Sequence, residues 1–345
     1  MESDSVANLL GTIGAGPITG MQQVGGGRNS QVFRVSCQGE NQYLAKFYFR
    51  HPCDSRDRLG NEFLACQLLR KHGMTCVPEP LAFDRQSSLA LFEYLEGEAI
   101  RPEAVTRPLI DEAVEFIGEL KRIANTGNTR QVSSASEACF SIRSLLSNID
   151  FRLASIEQAA QTVSSLQQFL EAELLPFRQR AGDACCEVCS RLGWDIEAEL
   201  DPGLRTLSPS DFGFHNAIRR PNGSLAFVDF EYFGWDDPAK IIVDFLLHPA
   251  MQLSSSHKHR FVDLMFQCFA NDVTLKKRTE LAYPLFGLKW CCILLNEFIP
   301  QHQSRRGFAD RNEGTLATIQ TRQLKKAATL LKQLNHEFER YPIHS

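Results

Sequence analysis

One asparagine–glycine turn between two short β-like runs constrains the fold more than any other feature of the sequence. Residues 217–220 and 225–228 are the β-like runs, and residues 221–224, with the sequence PNGS, join them. Asn-Gly is the strongest short-range signal for a β-hairpin, because both central positions of the turn tolerate positive φ. A hairpin brings its outer ends side by side. The sequence therefore predicts that Asn216 and Asp229, which flank the two runs, lie close together.

Three polar residues around this hairpin carry the oxygen atoms that hard cations prefer. Asp211 precedes Asn216 by five residues, on the loop that leads into the hairpin, and Asp229 follows the second run. Magnesium is usually bound by one or two carboxylates together with phosphate oxygens. Each residue alone would be explained as a turn former. Their order along the chain is instead typical of phosphoryl-transfer enzymes of the kinase type.

The step from Asp211 to Asn216 resembles the catalytic loop of the aminoglycoside phosphotransferase and choline kinase families, which share the protein-kinase-like fold. The resemblance implies that Asp211 accepts the proton of the attacking hydroxyl group and that Asn216 binds magnesium. Asp229 resembles the metal-binding Asp that follows the hairpin in these families. The triplet DFG at 211–213 spells the metal motif of protein kinases, but it precedes the hairpin, where the catalytic base belongs.

A glycine-rich segment lies near the start of the chain. Residues 23–33 have the sequence QVGGGRNSQVF, in which a glycine cluster precedes a β-like run. Glycines let backbone amides approach phosphate groups, although such a cluster is usually only a flexible turn. No helix is expected directly after it, which excludes the Walker and Rossmann phosphate motifs. The predicted nucleotide contacts in this segment are Gly25, Gly26, Gly27, Asn29 and Ser30.

A lysine interrupts an otherwise apolar predicted strand. Lys46 lies in the β-like run 43–48, where burial would be costly unless an acid were paired with it. Glu62, on the helix predicted over residues 58–72, is the natural partner. This lysine–glutamate pair resembles the device with which the family holds the α- and β-phosphates of ATP.

Further residues are assigned by resemblance alone. Residues 92–97, FEYLEG, resemble the hinge between the two lobes, whose backbone meets the adenine edge at Glu93, Tyr94 and Leu95. Glu231 and Asp236 are acidic candidates for substrate binding, and an ordinary structural charge explains each of them equally well. Asp237 resembles a family Asp that supports the catalytic loop, and a helix N-cap is an equally good interpretation.

The periodicity along the chain separates a β-rich part from a helical part. Strands and one helix are predicted up to about residue 95. Helices predominate afterwards, over residues 109–124, 138–156, 164–193 and 259–341, with a polar loop at 301–314. The predicted fold class is α+β and bilobal, protein-kinase-like, with a small β-rich N-lobe and a larger, mainly helical C-lobe. The predicted organisation is an N-terminal extension at 1–20, a nucleotide-binding lobe at 21–95, and a catalytic and substrate-binding lobe at 96–345.

Composition and net charge indicate the cellular location and the classes of binding partner to expect. The net charge of -4 among 345 residues gives no basic surface for nucleic acid or an acidic membrane. Residues 1–20 lack a secretory signal pattern, and no window approaches 18 uncharged apolar residues. The 11 scattered cysteines favour reduced thiols, hence a cytoplasmic protein. We therefore expect a small-molecule substrate and neither a nucleic-acid nor a membrane partner, while no feature indicates an oligomeric state.

Together these features predict an ATP- and magnesium-dependent phosphotransferase that phosphorylates a hydroxyl group of a sugar, an amino alcohol or an aminoglycoside-like compound. An atypical protein kinase is one alternative, but the segment after Asp229 has no activation segment ending in Ala-Pro-Glu. A catalytically silent nucleotide-binding protein is the other, and it would be expected to lack one of the catalytic or metal-binding residues. Pro209, in place of a family His, and a displaced Asp244 depart from the family pattern and leave the substrate open.

Overall fold

The computed structural model describes residues 2–25, 29–50, 54, 56–127, 129, 131–300 and 315–338. The chain divides into two compact units. Among the described residues, the first unit comprises 2–137 and 207–235, and the second comprises 138–206, 236–300 and 315–338. The predicted division at residue 95 stays a prediction. None of the helices in the described parts of the chain has both the length and the apolar character needed to cross a membrane.

A five-stranded antiparallel sheet forms the centre of the first unit, with the strand order β1-β2-β3-β5-β4. Residues 43 and 93 are paired across β3 and β5, and Lys46 lies between Val32 on β2 and Ala90 on β5. Lys46 is therefore on the middle strand, where its side chain is buried. The bounds are Ile18–Gly25 (β1), Ser30–Cys37 (β2), Gln42–Tyr48 (β3), Pro80–Asp84 (β4) and Leu89–Glu93 (β5).

A helix before the sheet, α1 (Glu2–Thr12), was not expected from the sequence. Its buried residues Val6, Leu9 and Leu10 recur at the three- to four-residue spacing of one helix face. They belong to the same apolar cluster as Ala45 and Leu91 of the sheet. Residues that the sequence assigned to an extension therefore contribute to the core of the first unit.

Helix α2 (Arg58–Lys71) presents two charged residues one turn apart. Asp57 caps its N-terminus by accepting a hydrogen bond from the Gly60 backbone N–H at 2.9 Å. Arg58 and Glu62, four residues apart, share one face of the helix, and both are buried. The predicted helix is thus present, and its buried face carries the glutamate that was expected to meet the sheet.

The predicted hairpin is formed by β8 (Ala217–Arg219) and β9 (Leu225–Phe227), which pair antiparallel. A further strand, β6 (Glu98–Ala99), extends this sheet by pairing with β8. Gly97 precedes β6 with φ +156, and a Cβ atom there would lie 2.4 Å from Ile218 Cγ2. Only glycine therefore permits this close approach between the end of the hinge segment and the hairpin.

The remaining elements are mainly helical, as predicted. The helix expected from residue 138 begins at Ile142, because Ser141 and Ser144 form a reciprocal capping box. The helix expected over 164–193 contains a π-helical turn at Leu170–Leu174. The other bounds are Arg107–Ala124 (α3), Ile142–Ala160 (α4), Ser164–Phe169 (α5), Leu175–Leu192 (α6), Thr206–Ser208 (β7), Gly234–Asp236 (β10), Pro238–Leu247 (α7), Ser255–Cys268 (α8), Leu275–Leu295 (α9) and Leu316–Phe338 (α10).

Candidate active site

The hairpin brings Asn216 and Asp229 together as the turn signal predicted. The backbone N–H of Val228 donates to the carbonyl oxygen of Asn216 at 2.9 Å, one step beyond the β8–β9 pairs. Asp229 follows with φ +67, in the left-handed region that is uncommon for residues other than glycine and in which asparagine and aspartate are the usual exceptions. Such strain is typical of functional positions.

The loop that carries Asp211 is tied to the same hairpin end. The side-chain amide nitrogen of Asn216 donates to the backbone oxygen of Asp211 at 2.9 Å. Phe212 and Phe214 alternate with polar positions and are buried, and the Phe212 ring lies 5.5 Å from that of Phe227 on β9. The apolar anchors fix the loop, while the Asp211 carboxylate stays 34% exposed and therefore accessible to a substrate.

A histidine that sequence reasoning missed contacts the candidate base. His215 Nε2 lies 3.0 Å from Asp211 Oδ1. The two residues are four apart, and the short 3₁₀ turn Phe214–Asn216 returns the chain so that their side chains meet. The sequence signal for this contact was the position of His215, four residues after Asp211 and directly before Asn216.

Lys46 lies between two carboxylates. Its Nζ atom is 2.6 Å from Glu62 Oε2 and 2.7 Å from Asp229 Oδ1. Burial alone would lower the pKa of Lys46, but the charges of Asp229 and Glu62 outweigh that cost and raise the pKa, so the ammonium stays charged. Burial raises the pKa of Glu62, and the contact with Lys46 opposes that rise. The predicted pair of Lys46 and Glu62 is thus formed, with Asp229 as a third member.

Tyr48 completes this buried charge network and was not predicted. Its hydroxyl group donates to Glu62 Oε2 at 2.8 Å. Tyr48 is two residues beyond Lys46 on β3, so both side chains leave the same face of the sheet. Burial raises the pKa of the Tyr48 hydroxyl, and the Glu62 charge raises it further. Glu62 is therefore held by two donors that the strand places side by side.

Asn29 joins the end of the glycine-rich segment to the chain that follows Asp229. Its amide nitrogen donates to Glu231 Oε1 at 2.8 Å and to the Tyr232 hydroxyl oxygen at 2.6 Å. Arg58 Nε lies 3.7 Å from Glu231 Oε1. Burial, together with the charge of Asp229, raises the pKa of Glu231 to about 7. Glu231 is therefore a buried acid that bridges the two segments, a contact that no local sequence pattern indicated. Its predicted role in substrate binding stays a prediction.

Replacing Glu231 by glutamine is expected to weaken the pH dependence of stability. Because its folded pKa of about 7 lies above the ordinary 4.5, the folded protein retains a proton that the unfolded chain has released. The unfolding free energy therefore falls as the pH rises through that window. Glu231→Gln removes this titration, and thermal unfolding at a series of pH values, without nucleotide or metal, measures it. Parallel curves for wild type and variant would contradict the assignment, and the exposed Glu157→Gln serves as the control.

The other predicted nucleotide-binding residues lie at strand ends of the first unit. Gly25 ends β1, and Ser30 begins β2 and is buried. Gly26 and Gly27 lie outside the described residues. In the hinge segment, Glu93 Oε2 pairs with Arg70 at 3.2 Å. The remaining two hinge residues are Tyr94, whose ring faces Arg34 at 5.0 Å, and the buried Leu95.

Two predicted residues belong to the second unit. Asp236, a candidate substrate ligand, has no exposed surface and pairs with Lys240 at 2.8 Å, which is the environment of a structural ion pair. Asp237 caps α7 by accepting from the Ala239 backbone N–H at 2.8 Å, and it also pairs with Arg278 at 2.9 Å. The N-cap interpretation of Asp237 is therefore confirmed, and its compatible role in supporting the catalytic loop stays a prediction. The substrate role of Asp236 stays a prediction.

Solved structures of small-molecule kinases resemble the whole chain. A choline/ethanolamine kinase family protein from Mesorhizobium loti is 17% identical with a TM-score of 0.62, over 96% of this chain and 95% of that one. A choline kinase from Streptococcus pneumoniae is 15% identical with a TM-score of 0.58, over 96% and 98%. A spectinomycin phosphotransferase, solved with ADP and spectinomycin, is 10% identical with a TM-score of 0.63, over 97% and 99%. At these identities the likeness shows the fold.

A family model gives the assignment that fold similarity alone does not. None of the curated protein sequences matches the chain. The model of the phosphotransferase enzyme family, APH, matches residues 20–248, which include the glycine-rich segment, the Lys46 strand and the hairpin. The predicted α+β, protein-kinase-like fold and the predicted class of small-molecule kinase are thus confirmed. The chain belongs to the phosphotransferase enzyme family.

Proposed function

We propose that the protein transfers the γ-phosphoryl group of ATP, bound with magnesium, to a hydroxyl group of a small molecule. One observation carries this proposal: Lys46 Nζ lies 2.7 Å from Asp229 Oδ1, at the end of the hairpin to which the Asp211 loop is bonded. The proposed phosphate anchor comes from β3, and the proposed cation ligand and base come from the hairpin and the loop that leads into it. Phosphoryl transfer requires these three groups and little covalent chemistry from the protein.

Lys46 is the residue that we assign to the phosphates of ATP. Its ammonium group is buried, charged and fixed by Glu62, which limits its freedom to leave the site. A preorganised positive charge stabilises the negative charge of the phosphates without reorganisation during the reaction. The backbone amides of the glycine-rich segment at residues 23–33, and the hinge from Glu93 to Leu95, are the proposed contacts of the rest of the nucleotide.

Asn216 and Asp229 are the residues that would hold magnesium. The amide nitrogen of Asn216 is bonded to the Asp211 backbone, which leaves its oxygen as the atom suited to a cation. The Asp229 carboxylate is 31% exposed, so it remains reachable beside Lys46. Two oxygen donors from the protein, completed by phosphate oxygens and water, suit magnesium. When bound, magnesium supplies positive charge that neutralises the phosphate oxygens.

Asp211 is the proposed base. The oxygen of the acceptor hydroxyl forms a bond to the γ-phosphorus, and the bond from that phosphorus to the bridging oxygen of ADP breaks. The hydroxyl proton passes to the Asp211 carboxylate, whose 34% exposure then allows its release to solvent. Such positioned proton acceptors contribute typically 10²- to 10⁴-fold to a rate. The anchored loop supplies the orientation that this step needs.

The family and the structures that share its fold support a class of acceptor. Kinases of choline and of spectinomycin share this fold, and their names describe an amino alcohol and an aminocyclitol compound. We propose a hydroxylated small molecule of this kind, bound by the mainly helical part from residue 96 onward, with residues 21–95 binding the nucleotide. Asp211 meets the acceptor hydroxyl group. A cytoplasmic location accords with the abundant supply of ATP that this reaction requires.

Nucleotide binding and turnover test the proposal against its two alternatives. ATP affinity should increase with magnesium, and slow ATP hydrolysis without an acceptor should depend on both magnesium and Asp211. A silent nucleotide-binding protein could bind ATP, but its residual hydrolysis would be the same in Asp211→Ala. An atypical protein kinase would label protein substrates while leaving small-molecule pools unlabelled.

Asp229→Asn is expected to abolish magnesium-dependent turnover while the fold is retained. Asparagine tolerates the left-handed backbone at this position, so the variant should keep its circular dichroism spectrum. Loss of the carboxylate removes the charge that attracts the cation, and we expect the magnesium dependence of ATP affinity to disappear. Isothermal titration with and without magnesium measures this effect. An Asp229→Asn protein with wild-type turnover would contradict the metal assignment.

A further inference from the structure

We propose that His215 is a positioning residue for the base Asp211, an inference that rests on the proposed function. Its Nε2 atom lies 3.0 Å from Asp211 Oδ1. An ionised carboxylate has only lone pairs to offer, so Nε2 carries the hydrogen and the imidazole donates. The bond holds the carboxylate by one of its two oxygens and thereby restricts rotation of the carboxylate plane.

The surrounding loop explains how His215 is presented to Asp211. Phe212 and Phe214 are both 3% exposed and anchor alternate positions of the loop. The Asn216 backbone N–H donates to the Gly213 oxygen at 3.0 Å, which closes the 3₁₀ turn. His215 therefore lies on a short turn directly after the Asp211 loop, and its side chain is 16% exposed. The local turn and the two buried rings therefore hold His215 in position.

Stability alone gives little reason for this pair. The loop is already fixed by two buried aromatic rings and by the Asn216 side chain, which donates to the Asp211 backbone at 2.9 Å. A partly exposed contact between charged or polar side chains adds a modest amount to folding, of the size that double-mutant cycles measure. Orientation of a base is different, because a misplacement of about 1 Å can cost roughly 100-fold in rate. The main effect of the contact is therefore on the orientation of the Asp211 carboxylate.

Because His215 donates a hydrogen bond to Asp211, replacing it should change kcat and leave the KM for ATP unchanged. His215→Leu removes the donor and is expected to lower kcat by roughly tenfold to 100-fold, the cost of a misplaced group, with the KM for ATP unchanged. His215→Gln places an amide N–H at similar reach and should recover most of the lost rate. His336→Leu, on the exposed face of α10, is the matched control and should behave as wild type.

Steady-state kinetics with an identified acceptor, combined with a double-mutant cycle of urea unfolding for His215→Leu and Asp211→Ala, test the inference. Reduced kcat in His215→Leu, recovery in His215→Gln, and non-additive unfolding free energies are the expected results. Wild-type kcat in His215→Leu, an altered KM for ATP at unchanged kcat, or equal loss in His215→Gln would overturn it. If wild-type protein transfers phosphate to no acceptor, the proposed function fails and the positioning role with it. The unfolding cycle then still decides whether the contact exists.

Discussion

Asp211→Ala is expected to lower kcat for phosphoryl transfer by about 10²- to 10⁴-fold, because the acceptor hydroxyl loses the group that takes its proton. ATP affinity should change little, because Asn216 is bonded to the backbone oxygen of Asp211, which alanine retains. Single-turnover transfer from labelled ATP measures the chemical step, and equilibrium titration measures the affinity.

The control for this variant is Asp183→Ala, which removes an exposed carboxylate on α6 and changes the net charge equally. Its kcat should equal that of the wild type. A wild-type kcat in Asp211→Ala would remove Asp211 from the reaction. A loss of ATP affinity equal to the loss of rate would instead assign it to nucleotide binding.

Lys46→Met is expected to destabilise the protein and to abolish productive use of ATP. Removing the ammonium leaves the buried Glu62 without its cation and Asp229 without its neighbour at 2.7 Å. Breaking a buried ion pair by removing one partner costs about 3–5 kcal/mol of unfolding free energy. Chemical denaturation measures this loss, and the KM for ATP together with kcat measures the loss of the phosphate contact.

The double variant Lys46→Met/Glu62→Leu separates these two effects. It removes both charges of the buried pair, so we expect much of the lost stability to return, while activity stays absent. Lys71→Met, at the exposed end of α2, controls for the loss of a lysine as such. Restored activity in the double variant would show that Lys46 acts on the fold alone. A single variant as stable as wild type would contradict the buried network.

Local chemistry made the hairpin and the Lys46 pair predictable. An Asn-Gly turn fixes its own geometry within four residues, so the proximity of Asn216 and Asp229 needed no knowledge of the rest of the chain. Lys46 was predictable for another reason: a charge on an apolar strand demands a partner, and Glu62 was the nearest acid on the next helix. Family resemblance then gave these residues their expected roles.

Contacts between distant segments could not be predicted in this way. Asn29 and Glu231 are 202 residues apart, and neither has a sequence neighbourhood that indicates the other. The first strand, β1, was missed because only its positions 18 and 21 are partly buried, so it shows no clear alternation. Helix α1 was missed because it is short and acquires its apolar role only by packing on the sheet. Tyr48 and His215 could have been found from spacing alone. Tyr48 lies two residues beyond Lys46, and His215 lies four residues beyond Asp211.

The central claim, transfer of phosphate from ATP to a small-molecule hydroxyl, is tested most directly by a screen of acceptors. Purified protein, magnesium and ATP would be incubated with pools of amino alcohols, sugars, amino sugars and aminoglycosides, with Asp211→Ala in parallel, and products would be identified by mass spectrometry. The account predicts a phosphorylated product in at least one pool that is absent with Asp211→Ala. A product formed equally by both proteins, or ATP binding without transfer to any pool, would contradict it.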